Sequence, residues 1–254
     1  MQWTDEGIVL GARPHGETSA ILELMTREHG RHLGLVRGGR GRRMRPLLQA
    51  GNLVRAVWQA RLDQHLGHFT VEGANLRVAN LMQQSHALFG ITHLATLCRL
   101  LPERDPHPLV VPMIEDILDR MDNLTGVATL IVQFELQLLA DLGFGLELDR
   151  CAVTGSDAAL VYVSPKSGRA VSSQAGEAWK DQLLRLPAFL IGEAGEESFS
   201  QEPSSQELAD AFRLTGYFLR QRVLEPRGVE FASARSDLID ALLNPRSRET
   251  HSGK

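Results

Sequence analysis

The hydrophobic period of this chain changes once, near residue 79, and that change decides what it can fold into. Before it, apolar residues come in short runs: 7–12 (GIVLGA), 19–26 (SAILELMT), 31–37 (RHLGLVR), 53–60 (LVRAVWQA) and 66–72 (LGHFTVE). Turn-rich pieces such as RPHGET and REHG separate them, the punctuation expected between strands. Within 53–60, Val54, Ala56 and Trp58 share one face while Arg55 and Gln59 share the other, as in a half-buried strand. Five such strands in under eighty residues fit a small closed barrel, in which closure limits exposed edges.

After residue 79 the spacing is helical. Val127, Leu130, Ile131, Phe134, Leu138 and Leu142 form one stripe that Gly143 closes, a helix with its C-terminal stop. Residues 204–224 open with Ser204 and Glu207 in capping-box spacing and carry Leu208, Phe212, Thr215, Leu219 and Val223 along one face. Residues 79–101 and 111–122 read as two more helices, and all are expected to pack into one bundle. Between them, ALVYV and GRAVS flank the turn SPKSG, which predicts a small inserted ribbon. Residues 193–207 read as an acidic, solvated loop. The expected fold class is α+β: a five-stranded barrel over 1–78, helical domain over 79–149 and 176–243, inserted ribbon over 150–175, and a loose tail over 244–254. At 254 residues and 43% hydrophobic content, the chain is long enough to bury a core for each part.

Charge is distributed unevenly over these parts. Up to Val78 there are eleven arginines against seven carboxylates, a net +4, in a chain whose total is −4. Six of those arginines (Arg31, Arg37, Arg40, Arg42, Arg43 and Arg45) lie within RHLGLVRGGRGRRMRP, residues 31–46, and no acidic residue occurs between Glu28 and Asp63. The loop falls between the third and fourth strands, and its glycines let the backbone approach a ligand while the guanidinium forks suit phosphate. A basic barrel of the oligonucleotide-binding kind on an acidic helical body points to a polyanion as the partner of the first part. Trp58, and less strongly Trp3 and Phe69, are candidate base-stacking platforms, against the reading of single strand aromatics as core.

Other chemistries find no foothold. No G-x-x-x-x-G-K-[ST], G-x-S-x-G or H-E-x-x-H pattern occurs, so nothing nominates a catalytic centre and the chain is expected not to be an enzyme. His29/His32 and His65/His68 have metal-like spacing, but no cysteine or carboxylate cluster completes a ligand set. They are expected as surface histidines, with no metal and no cofactor. Cys98, among Leu94, Leu97 and Leu101, reads as a small core residue, and Cys98 and Cys151 are both expected as free thiols. The N-terminus has no basic and apolar leader, and no window approaches eighteen consecutive apolar residues, so the expected location is the cytoplasm.

The segment GIVLGARPHGETSAILELMTREHGRHLGLVRGGR resembles the opening of the bacterial recombination mediator family RecO: an apolar strand, an arginine, a Glu-Thr step, a second strand, Gly30, and a strand entering a basic glycine-rich loop. QFELQLLADLGFGLELDRCAVTG is similar to that family's long helix followed by a Leu-Gly turn and a cysteine. The resemblance implies an oligonucleotide-binding barrel, a helical domain and a zinc-finger-like insertion. It further implies binding of single- and double-stranded DNA, annealing of complementary strands, and action with RecR to load RecA onto gaps coated by single-strand-binding protein, whose C-terminal tail the family binds. RecF is a further partner in that setting, and the location would be the nucleoid. By the same resemblance Arg37, Arg40, Arg42, Arg43 and Arg45 become DNA contacts, with Arg31 and Arg55 as weaker candidates. Where the family's zinc-holding members use two C-x-x-C pairs, this chain has Cys151 and Thr154, with no cysteine in SPKSGRAVS. A metal-free ribbon is therefore expected, since one thiolate does not hold structural zinc. An RNA-binding adaptor built on the same barrel is the alternative reading, and a hydrolase with an unrecognised site the third.

Overall fold

The computed structural model describes residues 1–191 and 202–244. The chain forms two compact units, Met1–Met121 and Asp122–Lys254.

The first unit is built on a closed barrel of β1 (Gln2–His15), β2 (Ser19–Thr26), β3 (Gly30–Val36), β4 (Leu53–Gln59) and β5 (His68–Asn75), in the order β1-β2-β3-β5-β4. Every pairing is antiparallel except β3 with β5, where Leu35 lies opposite His68. Strand β1 is far longer than the expected 7–12, because its first half pairs with β4 and its second half with β2. It changes partners at Gly7 and Ile8, beside a register shift between Val9 and Gly11. A bulge of this kind bends a strand around a barrel corner. The polar start of β1 concealed it, since Asp5 is buried there and its carboxylate accepts from the N–H groups of Glu6 and Glu28 at 2.7 and 2.8 Å.

Alternate residues fill the barrel: Leu22 and Leu24 from β2, Val54, Ala56 and Trp58 from β4, Phe69 and Val71 from β5. At the closing seam Phe69 lies flat over Gly34, where an added Cβ would come within 2.4 Å of the ring. Glycine at that position is a packing requirement, and it is what lets the ring complete the wall.

The helices that follow do not all join one bundle. Residues 78–121 belong with the barrel: α1 (Val78–Leu81), α2 (Ser85–Cys98) and α3 (Val110–Asp119) lie inside the first unit, and α2 and α3 pack on β1. The barrel ends near the expected residue 78, but the compact unit runs on to Met121. Charge fastens these helices to the strands and to one another. Arg27 pairs with Glu115, Arg77 with Asp119 at 3.1 Å, and Arg99 with Glu23 at 2.8 Å while also donating to the Leu10 carbonyl at 2.9 Å. Periodicity reports which face of a helix is apolar, not which neighbour that face will choose.

In the second unit α4 (Leu124–Asp141) is capped by Asn123, whose side chain accepts from the Gly126 N–H at 2.9 Å, and buries Val127, Ile131, Phe134 and Leu138. The predicted ribbon is present as β6 (Leu160–Val163) and β7 (Ala170–Ser172), followed by α5 (Ser173–Gly176). A two-residue strand β8 (Leu184–Arg185) adds to β6 and makes a three-stranded sheet. α6 (Ser205–Phe218) begins with the predicted capping box of Ser204 and Glu207 and runs on into a π-helical turn, and α7 (Ser233–Leu243) closes the described chain. Glu135, fully buried on α4, receives Arg235 of α7 at 2.7 and 2.9 Å and the Thr215 hydroxyl of α6. The Arg235 guanidinium also lies 4.8 Å from the Phe231 ring. The acidic loop falls largely, and the tail over 244–254 almost wholly, outside the described residues.

The zinc-finger-like role implied for the insertion does not suit its donor set. Cys151 is the only cysteine of that segment, and among the described residues no three His, Cys, Asp or Glu side chains converge. The knuckle is held by other bonds. The Ser172 N–H donates to the Cys151 sulfur at 3.3 Å, and the Cys151 N–H donates to the Ser156 carbonyl at 2.7 Å. Burial of the sulfur works against ionisation, yet hydrogen bonds from Thr154 and Ser172 outweigh it and bring the thiol down to about 6. Cys151 is a hydrogen-bonded part of the ribbon's framework.

Candidate nucleic-acid interface

The arginine loop spans β3 to β4 and is a chain of consecutive turns. Gly39 donates to the Val36 carbonyl, Gly41 to Gly38, Met44 to Gly41, and Leu48 to Met44. Leu48 is buried, and Met44 and Leu47 pack on the barrel core. Gly38 takes a positive φ of 66°, which lets the chain leave β3 sharply. The loop is also pinned to the β1–β2 turn: the Arg40 N–H donates to the Thr18 carbonyl at 2.9 Å, and its guanidinium to the Gly16 and Glu17 carbonyls at 2.9 and 2.8 Å.

Arg42, Arg43 and Arg45 are exposed, and none has a carboxylate partner among the described residues. Arg37 is exposed and approaches the His68 ring at 3.4 Å. Arg40 serves two ends, since it anchors the loop and lines the cavities beside it. One cavity, of about 760 Å³, lies between the loop and α1 and is lined by Arg40, Arg42 and Arg45 on one side. A second, of about 600 Å³, shares Arg40, Arg45 and Gln49 with the first and adds Arg13, which the sequence did not single out. No carboxylate lines either cavity.

Three candidates change their standing. Trp58 is wholly buried; it is inward-facing on β4, donates to the Leu66 carbonyl at 3.1 Å and stacks on Trp3, so it is a core residue with no face for a base. Arg31 is not a free cation: it is bound to Glu23 at 2.9 Å on the neighbouring strand, lies 3.6 Å from Glu103, and donates to the Leu101 carbonyl at 3.1 Å. Arg55 is exposed on the outer face of β4, with Glu6 and Glu72 as its register partners on the two neighbouring strands, so its charge stands between two carboxylate-bearing positions. Contacts across strands decide Arg31 and Arg55, which sequence neighbours do not report, whereas Trp58 follows the inward face that it shares with Val54 and Ala56.

The expected surface histidines also divide. His29 bonds to Asp5 at 3.0 Å and stacks on Trp3, whereas His32 is buried edge-on to Trp3 and Trp58 with neither ring nitrogen partnered. Phe69 is core, and Trp3 is enclosed between His29 and Trp58.

The first unit is thus an oligonucleotide-binding-type barrel carrying an anchored loop of uncompensated arginines. The family model for the recombination protein O N-terminal domain matches residues 1–76, and that for the recombination protein O C-terminal domain matches residues 82–229. The chain is 59% identical over 249 residues to the DNA repair protein RecO of Bradyrhizobium diazoefficiens, covering 98% of both chains. It is 56% identical to that of Rhodopseudomonas palustris strain BisB18 (98% and 97% covered) and 57% identical to that of Nitrobacter hamburgensis (98% and 97%). The chain belongs to the RecO family of DNA repair and recombination proteins.

Proposed function

We propose that this protein binds single- and double-stranded DNA through the arginine loop, anneals complementary strands, and acts with RecR to help load RecA onto DNA coated by single-strand-binding protein. The observation that carries this reading is the set of three exposed arginines, Arg42, Arg43 and Arg45, whose guanidinium groups have no carboxylate partner among the described residues and stand beside two carboxylate-free cavities. Guanidinium groups held this way neutralise phosphates and release counterions, which gives affinity with little sequence preference. Annealing needs the repulsion between two strands screened while base edges stay free, and contacts confined to phosphate meet both needs. No bond is made or broken in this role, so it calls for no catalytic residue and no cofactor. RecF and the tail of single-strand-binding protein are further partners in this reading, which places the protein in the cytoplasm at the nucleoid during the response to DNA damage.

The test is binding of a fluorescent single-stranded oligonucleotide across a salt series, for the natural protein and for the Arg42→Ala/Arg43→Ala/Arg45→Ala variant. Log affinity should fall steeply with log salt, and three lost phosphate contacts should flatten the slope by about 2, at roughly 0.7 each. An unchanged slope would remove the loop from the interface. Tighter binding to a matched RNA than to DNA would favour the RNA-adaptor reading instead.

A further inference from the structure

The cavity between the arginine loop and α1 has two chemically different sides. Arg40, Arg42 and Arg45 form one, and Leu76, Val78, Ala79 and Met82 form the other. Leu76 is 42% exposed and Met82 56% exposed, so apolar side chains stand open next to guanidinium groups. A purely electrostatic site for a duplex has no use for that wall, because in a duplex the base faces are stacked on one another and only phosphates and groove edges are presented.

We infer that this cavity accepts an unstacked base of single-stranded DNA, held against Leu76 and Met82 while Arg42 and Arg45 take the flanking phosphates. The inference rests on the DNA-binding reading above and deepens it. At about 760 Å³ the cavity is within the range of small-molecule sites and admits a nucleotide. Met82 brings a polarisable thioether, which suits the face of a flat π system. An acidic peptide with apolar residues would match the same two chemistries locally. The cationic side favours a strand, because it continues past the cavity: Arg40 and Arg45 also line the second cavity, where Arg13 extends the run without a carboxylate. A run of that kind suits phosphates at regular intervals better than one peptide terminus. The consequence is a preference for single strands that comes from the apolar wall, layered on a sequence-blind attraction that comes from the arginines.

The experiment compares a 15-mer of deoxythymidine with an abasic strand of equal length and charge, using the full chain at fixed salt. The natural protein should bind the base-containing strand on the order of tenfold more tightly, the scale of one base contact. The Leu76→Ser/Met82→Ser variant should bring that ratio to about one, with its thermal midpoint recorded to show that it is folded. The Arg42→Ala/Arg45→Ala variant should weaken both strands together and leave the ratio above one. Equal affinity of the natural protein for the two strands, or a ratio that survives in the Leu76/Met82 variant, would overturn the inference while leaving phosphate binding intact. If neither strand binds, the DNA-binding reading itself fails. Competition by an acidic, apolar peptide that is lost in the Leu76/Met82 variant, with the base ratio unchanged, would give the cavity to a protein partner.

Discussion

His32 sits among Trp3, Trp58 and Phe69, and neither of its ring nitrogens has a hydrogen-bond partner among the described residues. Burial, reinforced by the nearby Arg104 and His29 charges and opposed by Asp63, holds its imidazole down at about 4. An unfolded histidine titrates near 6.5. Between those values the unfolded chain takes up a proton that the folded chain refuses, so stability falls as pH drops from 6.5 towards 4. Thermal midpoints measured over that interval should decline less steeply for His32→Phe than for the natural protein; parallel curves would show that His32 is not the group responsible. Trp58 yields a second expectation at this scale. Trp58→Ala should cost about 3–5 kcal/mol by chemical denaturation, the range for emptying an aromatic core site. Trp58→Phe, which fills most of the space, should leave DNA affinity within twofold if the residue is core and not a stacking platform. Spacing put Trp58 on the face it shares with Val54 and Ala56, but gave no sign that His32 is enclosed. A histidine two residues after a turn glycine looks exposed until β3 closes against β5 and the Trp58 ring of β4 meets it inside the barrel.

Among the elements, the barrel strands and the ribbon were readable because turn residues bracket them, and the capping box at Ser204 marked the start of α6. What stayed hidden has physical causes. β1 begins with a buried carboxylate that breaks the apolar pattern, β8 is too short to have a period, and the apolar faces of α2 and α3 do not announce that a barrel covers them. The loop was legible as a cluster of charge, but the division of labour within it was not: Arg40 is partly an anchor, whereas Arg42 and Arg43 only project. The ribbon carries its own prediction. Purified protein should contain far less than one zinc per chain by elemental analysis, and Cys151→Ala should lower stability by about 1–3 kcal/mol, because the Ser172 N–H loses its acceptor in a buried place. A zinc content near one would show that donors beyond this ribbon complete a site.

For the molecule as a whole, stability and the proposed DNA binding rest on different residues. In the second unit Glu135 ties α4 to α6 and α7, and removing it leaves the Arg235 guanidinium buried without its carboxylate. Glu135→Ala should therefore cost about 3–5 kcal/mol, read from denaturant midpoints, whereas substitutions at Arg42 or Arg43 should stay within about 0.5 kcal/mol as exposed sites do. Proteins altered in the loop should thus remain folded controls for every binding assay. The three bonds that Arg40 makes to the β1–β2 turn carry this separation further. They spend the loop's freedom during folding, before any strand arrives, so little disorder remains to be surrendered at the encounter. Calorimetry at several temperatures would then register a shallow heat-capacity change, that of a surface meeting its ligand ready-made, and cutting the Arg40 tether would steepen it.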